Sequence, residues 1–411
     1  MKSFNHLIIH FRTYGLKHKF LYSASIMLFF WTIFDGIISY ISPLVIKGSG
    51  YSNTMMGIII GTSSIAGALF DFLLSKYLQN SHWRRLYLVM FIVCLIQPLI
   101  LWQSKVAIIY LLAMAMWGLY YDLLGFGNFD FVSREMETDE HASSFGVLGV
   151  FKSLGYLLAP LIVGLVIGEM LDWKPFVLAL VFLSMSFIFF LVLYVSGKKR
   201  GIRIDRLQQY RPKGFMVEIG LWKKIGKVMM PFLIFTMLMS MQDSFFWTIG
   251  PILSETFVKF RPLDGLFLTA YSLPPLLVGW FVDKFRSKFG SKANFISFII
   301  SSLFLITFAV FRHPLVLLFV ILLSSTFSTF SWAIEQGLYA DYIEDSFSKE
   351  KEIEGLVDFS INAGYIVGPI LAGFLSDKVG YFNTFAFLGI FGLFVTLILS
   401  RIAPKRVAIG S

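Results

Sequence analysis

The chain reads as twelve long apolar runs separated by polar connections, at roughly 20–46, 53–76, 86–103, 106–133, 142–168, 174–196, 226–253, 263–283, 293–311, 314–342, 355–376 and 381–402. Each run is about as long as an α-helix must be to cross the hydrocarbon core of a bilayer. The pattern predicts an all-α membrane protein of twelve transmembrane helices. Only "QSK" separates the third run from the fourth, which predicts a tight hairpin. One connection is long and polar, residues 197–225, beginning "GKKRGIRIDRLQQYRPKG". It divides the chain into an N-terminal segment (1–19), a six-helix unit (20–196), the basic linker (197–225), a second six-helix unit (226–402) and a tail (403–411). The first run is too long for the core of a cleavable signal and lacks a small-residue cleavage site, so it is expected to remain as an anchor. The preceding "HLIIHFRTYGLKHK" mixes apolar and basic residues in a way that suits the inner membrane surface.

The two halves repeat one another. Asp35, Pro43 and Gly57 recur as Asp243, Pro251 and Gly265 at a constant offset of 208. "GYLLAPLIVG" (155–164) recurs as "GYIVGPILAG" (364–373) at an offset of 209, and Gly146 recurs as Gly355. Parallel repeats of this kind place a substrate site near the midplane between the halves.

Composition agrees with the pattern. Hydrophobic residues make up 57% of the chain and charged residues 15%, against about a quarter in soluble domains. The net charge of +10 lies in the connections rather than on a face, which argues against nucleic acid. Of 35 Lys and Arg, 27 fall on the side shared by the termini and 7 on the other, with Lys152 inside the fifth run. The positive-inside rule then puts both termini in the cytoplasm, at a plasma or inner membrane. A single cysteine, Cys94, excludes an intramolecular disulfide and a cysteine-rich metal site.

Twelve helices in a 6+6 repeat with a basic central loop resemble the major facilitator superfamily. The family carries G-x-x-x-D followed by basic residues after its second helix. Here Gly67 and Asp71 match ("GALFD"), with the basic residues displaced to Lys76, Arg84 and Arg85. The second copy, "GWFVDKFRSK", is closer, with Gly279, Asp283, Lys284, Arg286 and Lys288. The resemblance implies a conformational latch on the cytoplasmic side at Gly67, Asp71, Gly279, Asp283, Lys284 and Arg286. The Gly-Pro motif of helix 5 in drug/proton antiporters is partly present as "APLIVG" and better kept in helix 11 as "GPILAG". The helix 4 motif R-x-x-Q-G-x-G of those antiporters is reduced to "YDLLGFG", with Tyr121 in place of its Arg.

The family lines its central cavity with helices 1, 4, 7 and 10. Each of these carries an acid within its apolar run: Asp35, Asp122, Asp243 and Glu335; helix 5 adds Lys152. A charge at mid-bilayer costs about 2.5–3.5 kcal/mol on the lenient insertion scale, so these groups are expected to face a wet cavity, to pair, or to take up protons. Asp35 and Asp243 are the leading coupling candidates. Asp122 and Lys152, on neighbouring helices, are expected to form a charge pair, with a substrate role the alternative. Asp130 has Arg134 four residues on, the spacing of a helical ion pair, and Asp341 reads as interfacial. Trp31, Tyr40, Trp117, Tyr121, Trp247 and Trp332 lie near the acids and are candidates for lining a substrate, against the plainer reading of helix packing.

Several chemistries lack their residues. "GVLGVFKS" (146–153) imitates a phosphate-binding loop, but Phe151 stands where a glycine is required, and "GTSSIAG" fails as a nucleophile elbow at Ile65. The leading expectation is therefore a non-enzymatic, monomeric secondary transporter of a small-molecule solute. It works by alternating access in the lipid bilayer, with no cofactor and a proton gradient as driver, Na⁺ remaining open. The acids favour a cationic or polar neutral substrate, and the Gly-Pro elements lean toward efflux of a lipophilic or cationic compound. Uptake of a sugar or other polar nutrient is the alternative. A non-transporting receptor or assembly factor on the same scaffold, or a membrane enzyme, are the rivals of another class.

Overall fold

A computed structural model describes residues 19–77, 81–137, 140–167, 171–196, 215–256, 265–345 and 350–404. The first half comprises α1 (Lys19–Gly48), α2 (Asn53–Tyr77), α3 (Trp83–Gln103), α4 (Ala107–Glu135), α5 (His141–Val166) and α6 (Lys174–Ser196). The second half comprises α7 (Phe215–Glu255), α8 (Leu266–Phe289), α9 (Ala293–Ile306), α10 (Pro314–Asp345), α11 (Glu350–Val379) and α12 (Tyr381–Ile402). Eleven of them are long and apolar enough to cross a membrane, and α9, with its 3₁₀ extension to Ala309, is a shorter apolar helix. Much of the basic linker, residues 197–214, lies outside the described residues, as do the segments 1–18 and 405–411.

Several helices outrun their apolar spans. α7 starts at Phe215 rather than near 226, α4 runs to Glu135, and α10 to Asp345. The i→i−4 bonding of a helix continues through polar turns, whereas hydropathy registers only the part inside the bilayer. α8 departs the other way. Pro274 and Pro275 remove two successive N–H donors, and the segment is assembled from short pieces: Leu266–Ser272, Pro274–Leu277, a 3₁₀ turn at Val278–Phe281, and Val282–Phe289. The predicted hairpin is present, and Tyr110 OH donates to the Ser104 carbonyl to close it. At the start of α3 the His82 Nδ1 accepts from the Arg84 N–H at 3.3 Å, and burial holds this imidazole below its ordinary value, which keeps that nitrogen an acceptor. Cys94 is buried in α3.

The packing repeats with the sequence. In the first bundle α1 packs on α5 and α6, α2 on α4, and α3 on α4 and α6. In the second, α7 packs on α11 and α12, α8 on α10, and α9 on α10 and α12, which is the same set moved on by six helices. Between the bundles α2 meets α11, α5 meets α8, and α1 meets α7, a set that maps onto itself when the halves are exchanged.

The repeated glycines and prolines explain how close this seam is. A side chain on Gly57 would run into the Pro369 carbonyl, and one on Gly265 into the Pro160 carbonyl. The repeated glycine of one half thus meets the repeated proline segment of the other, twice. Gly373 likewise faces the Asn53 carbonyl. Nearby, Asp377 of α11 accepts from the backbone N–H groups of Asn53 (3.1 Å) and Thr54 (2.8 Å) and from the Thr54 hydroxyl (2.7 Å). These residues all lie toward the end of the molecule opposite the termini, so the bundles are sealed together there.

Candidate substrate and coupling site

Asp35 and Asp243 occupy equivalent places beside the seam. Asp35 is 2% exposed. Its Oδ1 accepts from Trp117 Nε1 at 3.0 Å and Tyr120 OH at 2.7 Å, and its Oδ2 accepts from Tyr156 OH at 2.6 Å. Asp243 accepts from Tyr271 OH at Oδ1 and Tyr365 OH at Oδ2, both at 2.6 Å. Tyr156 and Tyr365 are the tyrosines of the repeated G-Y-x3-P motif. The two halves therefore share one device, an acid on the first helix of the bundle held by a tyrosine on the fifth.

The preceding glycine makes the device possible. A side chain on Gly155 would overlap Thr32 of α1, and one on Gly364 would meet the Met237 carbonyl and Ser240 of α7. Without side chains at these points α5 and α11 lie close enough for the next residue to reach the acid. Hydrogen bonds to a charged group contribute about 1.5–3 kcal/mol each, and burying a carboxylate costs several kcal/mol. Three such bonds at Asp35 are of the size needed to hold the group without a cation in contact.

Lys152 of α5 donates to Tyr121 OH at 2.7 Å and sits over the rings of Tyr121 (4.8 Å) and Tyr156 (6.0 Å). Tyr121 lies within interaction reach of Tyr156 in its own bundle and of Tyr365 in the other. Its 40% exposure therefore opens into the space between the bundles rather than toward lipid. Trp247 of α7 meets Tyr156 edge-on at 6.0 Å and completes a bridge of aromatic groups across the midplane.

The expected pair between Asp122 and Lys152 is corrected by this arrangement. Lys152 addresses tyrosines, and the Asp122 carboxylate lies 3.4 Å from where a Gly67 side chain would begin, on α2. Neighbouring positions on a helix point about 100° apart, and α4 packs mainly on α2 and α3, so Tyr121 and Asp122 serve different helices. Glu335 is likewise not part of the central group. It is fully buried inside the second bundle, where its Oε2 accepts from Asn294 Nδ2 of α9 at 2.5 Å.

Two of the lining candidates are corrected as well. Trp31 and Tyr40 are 0% and 1% exposed; Trp31 packs against the rings of Tyr120 and Tyr121. Trp117, Tyr121 and Trp247 do join the central group, and Trp332 is half-buried against the core. Among the latch candidates, Arg286 forms an ion pair at 2.9 Å with Asp341 of α10. Asp283 and Lys284 are exposed, Gly279 has open space beside it, and the Asp71 side chain lies outside the described residues. Asp130 pairs with Arg134 at 2.6 Å, as their spacing predicts, and also accepts from the Trp83 N–H at 2.8 Å. Tyr156, Tyr271 and Tyr365 were missed as site residues. The signal for the first and third was the repeat, whose tyrosines share the frame of the acids.

Two six-helix bundles around a polar midplane group define a multi-pass membrane transporter rather than an enzyme. The Major Facilitator Superfamily profile matches residues 131–352 and 232–409, and the chain belongs to this family. Among solved structures it is similar to the nucleoside transporter NupG, with TM-score 0.72, 15% identity, and coverage of 92% of this chain and 98% of that one. A bacterial homologue of the human lysosomal transporter Spinster, in an inward-facing and unoccupied conformation, gives TM-score 0.73 at 11% identity, covering 95% and 98%. A peptide transporter, POT, in complex with sulfate, gives 0.71 at 14%, covering 94% of each chain. No curated protein sequence matches the chain.

Proposed function

We propose that the chain is a proton-coupled secondary transporter of a small polar solute, working by alternating access across the membrane. The observation that carries this reading is the pair of equivalent acid–tyrosine sites, one per bundle, beside the seam on which the bundles rock. A phenol both donates and accepts hydrogen bonds. It can donate to an ionised carboxylate and accept from a protonated one, so each site can hold its acid in either state without losing its partner. With the termini in the cytoplasm, the sealed face is the outer one. Uptake of a polar nutrient suits the hydroxyl-rich midplane. Efflux of a lipophilic cation has the charge of Lys152 against it, and the Gly-Pro elements that suggested efflux are occupied in forming the seam.

The test uses proteoliposomes with an imposed pH gradient, a lumenal pH dye and a panel of sugars, nucleosides, carboxylic acids and amines. Wild-type protein is expected to move protons with at least one solute. Asp35→Asn and Asp243→Asn are expected to retain solute exchange while losing the response to the gradient. If no solute moves protons, or if both variants respond to the gradient as wild type does, the proton-coupled reading fails.

A further inference from the structure

Lys152 stands out among the groups at the midplane because, among the described residues, no carboxylate is in contact with it, Asp35 acting on it only from a distance. Among the described residues its one hydrogen bond goes to the Tyr121 hydroxyl, and its remaining neighbours are ring faces. An ammonium has three N–H donors, and one of them has a protein partner among the described residues. Asp35, the acid nearest in electrostatic terms, directs both its oxygens at Trp117, Tyr120 and Tyr156 and is almost wholly buried. Asp243 likewise has a tyrosine on each oxygen. The acids are thus shielded behind hydroxyl and indole donors, while the cation faces the space between the bundles together with the open side of Tyr121.

A count of charges along the sequence gives the midplane an acidic character and favours a cationic or polar neutral substrate over an anion. The side-chain directions reverse that preference. A solute entering between the bundles meets an ammonium and tyrosine hydroxyls first. We propose that Lys152 and Tyr121 form the recognition point for an anionic group, most simply a carboxylate, on the transported solute. The rings of Tyr156 and Trp247, 6.0 Å apart, then offer apolar surface to the rest of the molecule. This assignment rests on the transport reading above and adds the substrate class. An anion at Lys152 would add a direct contact to the more distant attraction of Asp35, in a site where charge–charge attraction is stronger than in water.

The experiment titrates purified protein with trios that share a scaffold and exchange a carboxylate for a neutral group or an amine: benzoate, benzyl alcohol and benzylamine; glucuronate, glucose and 6-amino-6-deoxyglucose; nicotinate, nicotinamide and 3-picolylamine. Tryptophan fluorescence is the readout, since Trp117 and Trp247 lie in the site. The acid of at least one trio is expected to bind at least tenfold more tightly than its neutral and amine counterparts. Lys152→Gln is expected to weaken that acid at least tenfold, and Lys152→Arg to keep most of its binding. Thermal unfolding of each variant in detergent guards against loss of fold. If no acid binds, if the neutral or amine members bind as well, or if a folded Lys152→Gln binds the acid unchanged, the assignment is overturned. Transport of the same trios separates the two readings. Acids that bind through Lys152 but do not move with a pH gradient leave this assignment standing and sink proton coupling. A neutral or cationic solute driven by the gradient through a folded Lys152→Gln does the reverse.

Discussion

At the scale of single residues, each acid is held by two tyrosines and a tryptophan, and that shared arrangement has a measurable consequence. Removing the Tyr156 hydroxyl leaves Asp35 with Trp117 and Tyr120, and removing the Tyr365 hydroxyl leaves Asp243 with Tyr271 and the indole of Trp247. A buried acceptor that loses its partner costs about 1–3 kcal/mol. Tyr365→Phe and Tyr156→Phe are therefore each expected to lower the unfolding temperature in detergent, and double-mutant cycles with Asp243→Asn and Asp35→Asn should show coupling within each pair. No loss of stability, or no coupling, would mean that the tyrosines merely pack. Asp35 and Asp243 were legible in the sequence because acids inside apolar runs are rare. Their tyrosine partners were not, because a tyrosine beside a glycine and a proline reads as packing until the helices are placed. The Asp122–Lys152 pair failed for a related reason. Adjacency of helices in the chain says nothing about which side of α4 a residue occupies.

At the scale of helices, the seam depends on glycines, Gly57, Gly265 and Gly373, that leave room for a backbone carbonyl where a side chain would stand. Leucine at Gly57 or Gly265 fills that space on α2 or α8, and the carbonyls of Pro369 and Pro160 belong to helix backbone that cannot turn aside. Either substitution is expected to hold the terminus-distal end apart and to stop transport. Thiol labelling checks this: a cysteine placed at Thr269, where the hydroxyl now faces the α5 backbone at Leu157, should become reactive from that side in Gly57→Leu. Unchanged labelling would show that the seam tolerates the bulk. The sequence displayed these glycines and prolines as a repeat but not as partners, since each touches the copy in the other half. The break in α8 was written in the sequence as Pro274–Pro275, which remove two successive donors, and the hydropathy pattern alone passes over it.

At the scale of the whole molecule, the described state is one of the two that a transporter must visit. The contacts of Asp377 with Asn53 and Thr54 tie the bundles at the sealed end. Cysteines replacing Thr54 and Asp377, joined by a short thiol crosslinker, are expected to hold that end shut and arrest transport, with activity returning when a cleavable linker is reduced. Full activity in the crosslinked protein would place the moving contact elsewhere. The twelve-helix plan and its division into halves were written in the hydropathy pattern and the 208–209 residue offsets. What no pattern could supply was the relative orientation of the bundles, which is set by contacts between residues hundreds of positions apart.

Cys94 gives this molecule a practical quality as an object of spectroscopy. It is the only thiol in the chain and it is fully enclosed, its neighbours including the indole of Trp31. Water-soluble maleimides and nitroxide reagents should pass it by while the fold is intact. Pairs of labels on the two bundles can then report the distance between them in the native sequence background, so that the rocking motion is followed as a distribution of distances rather than inferred from a single state.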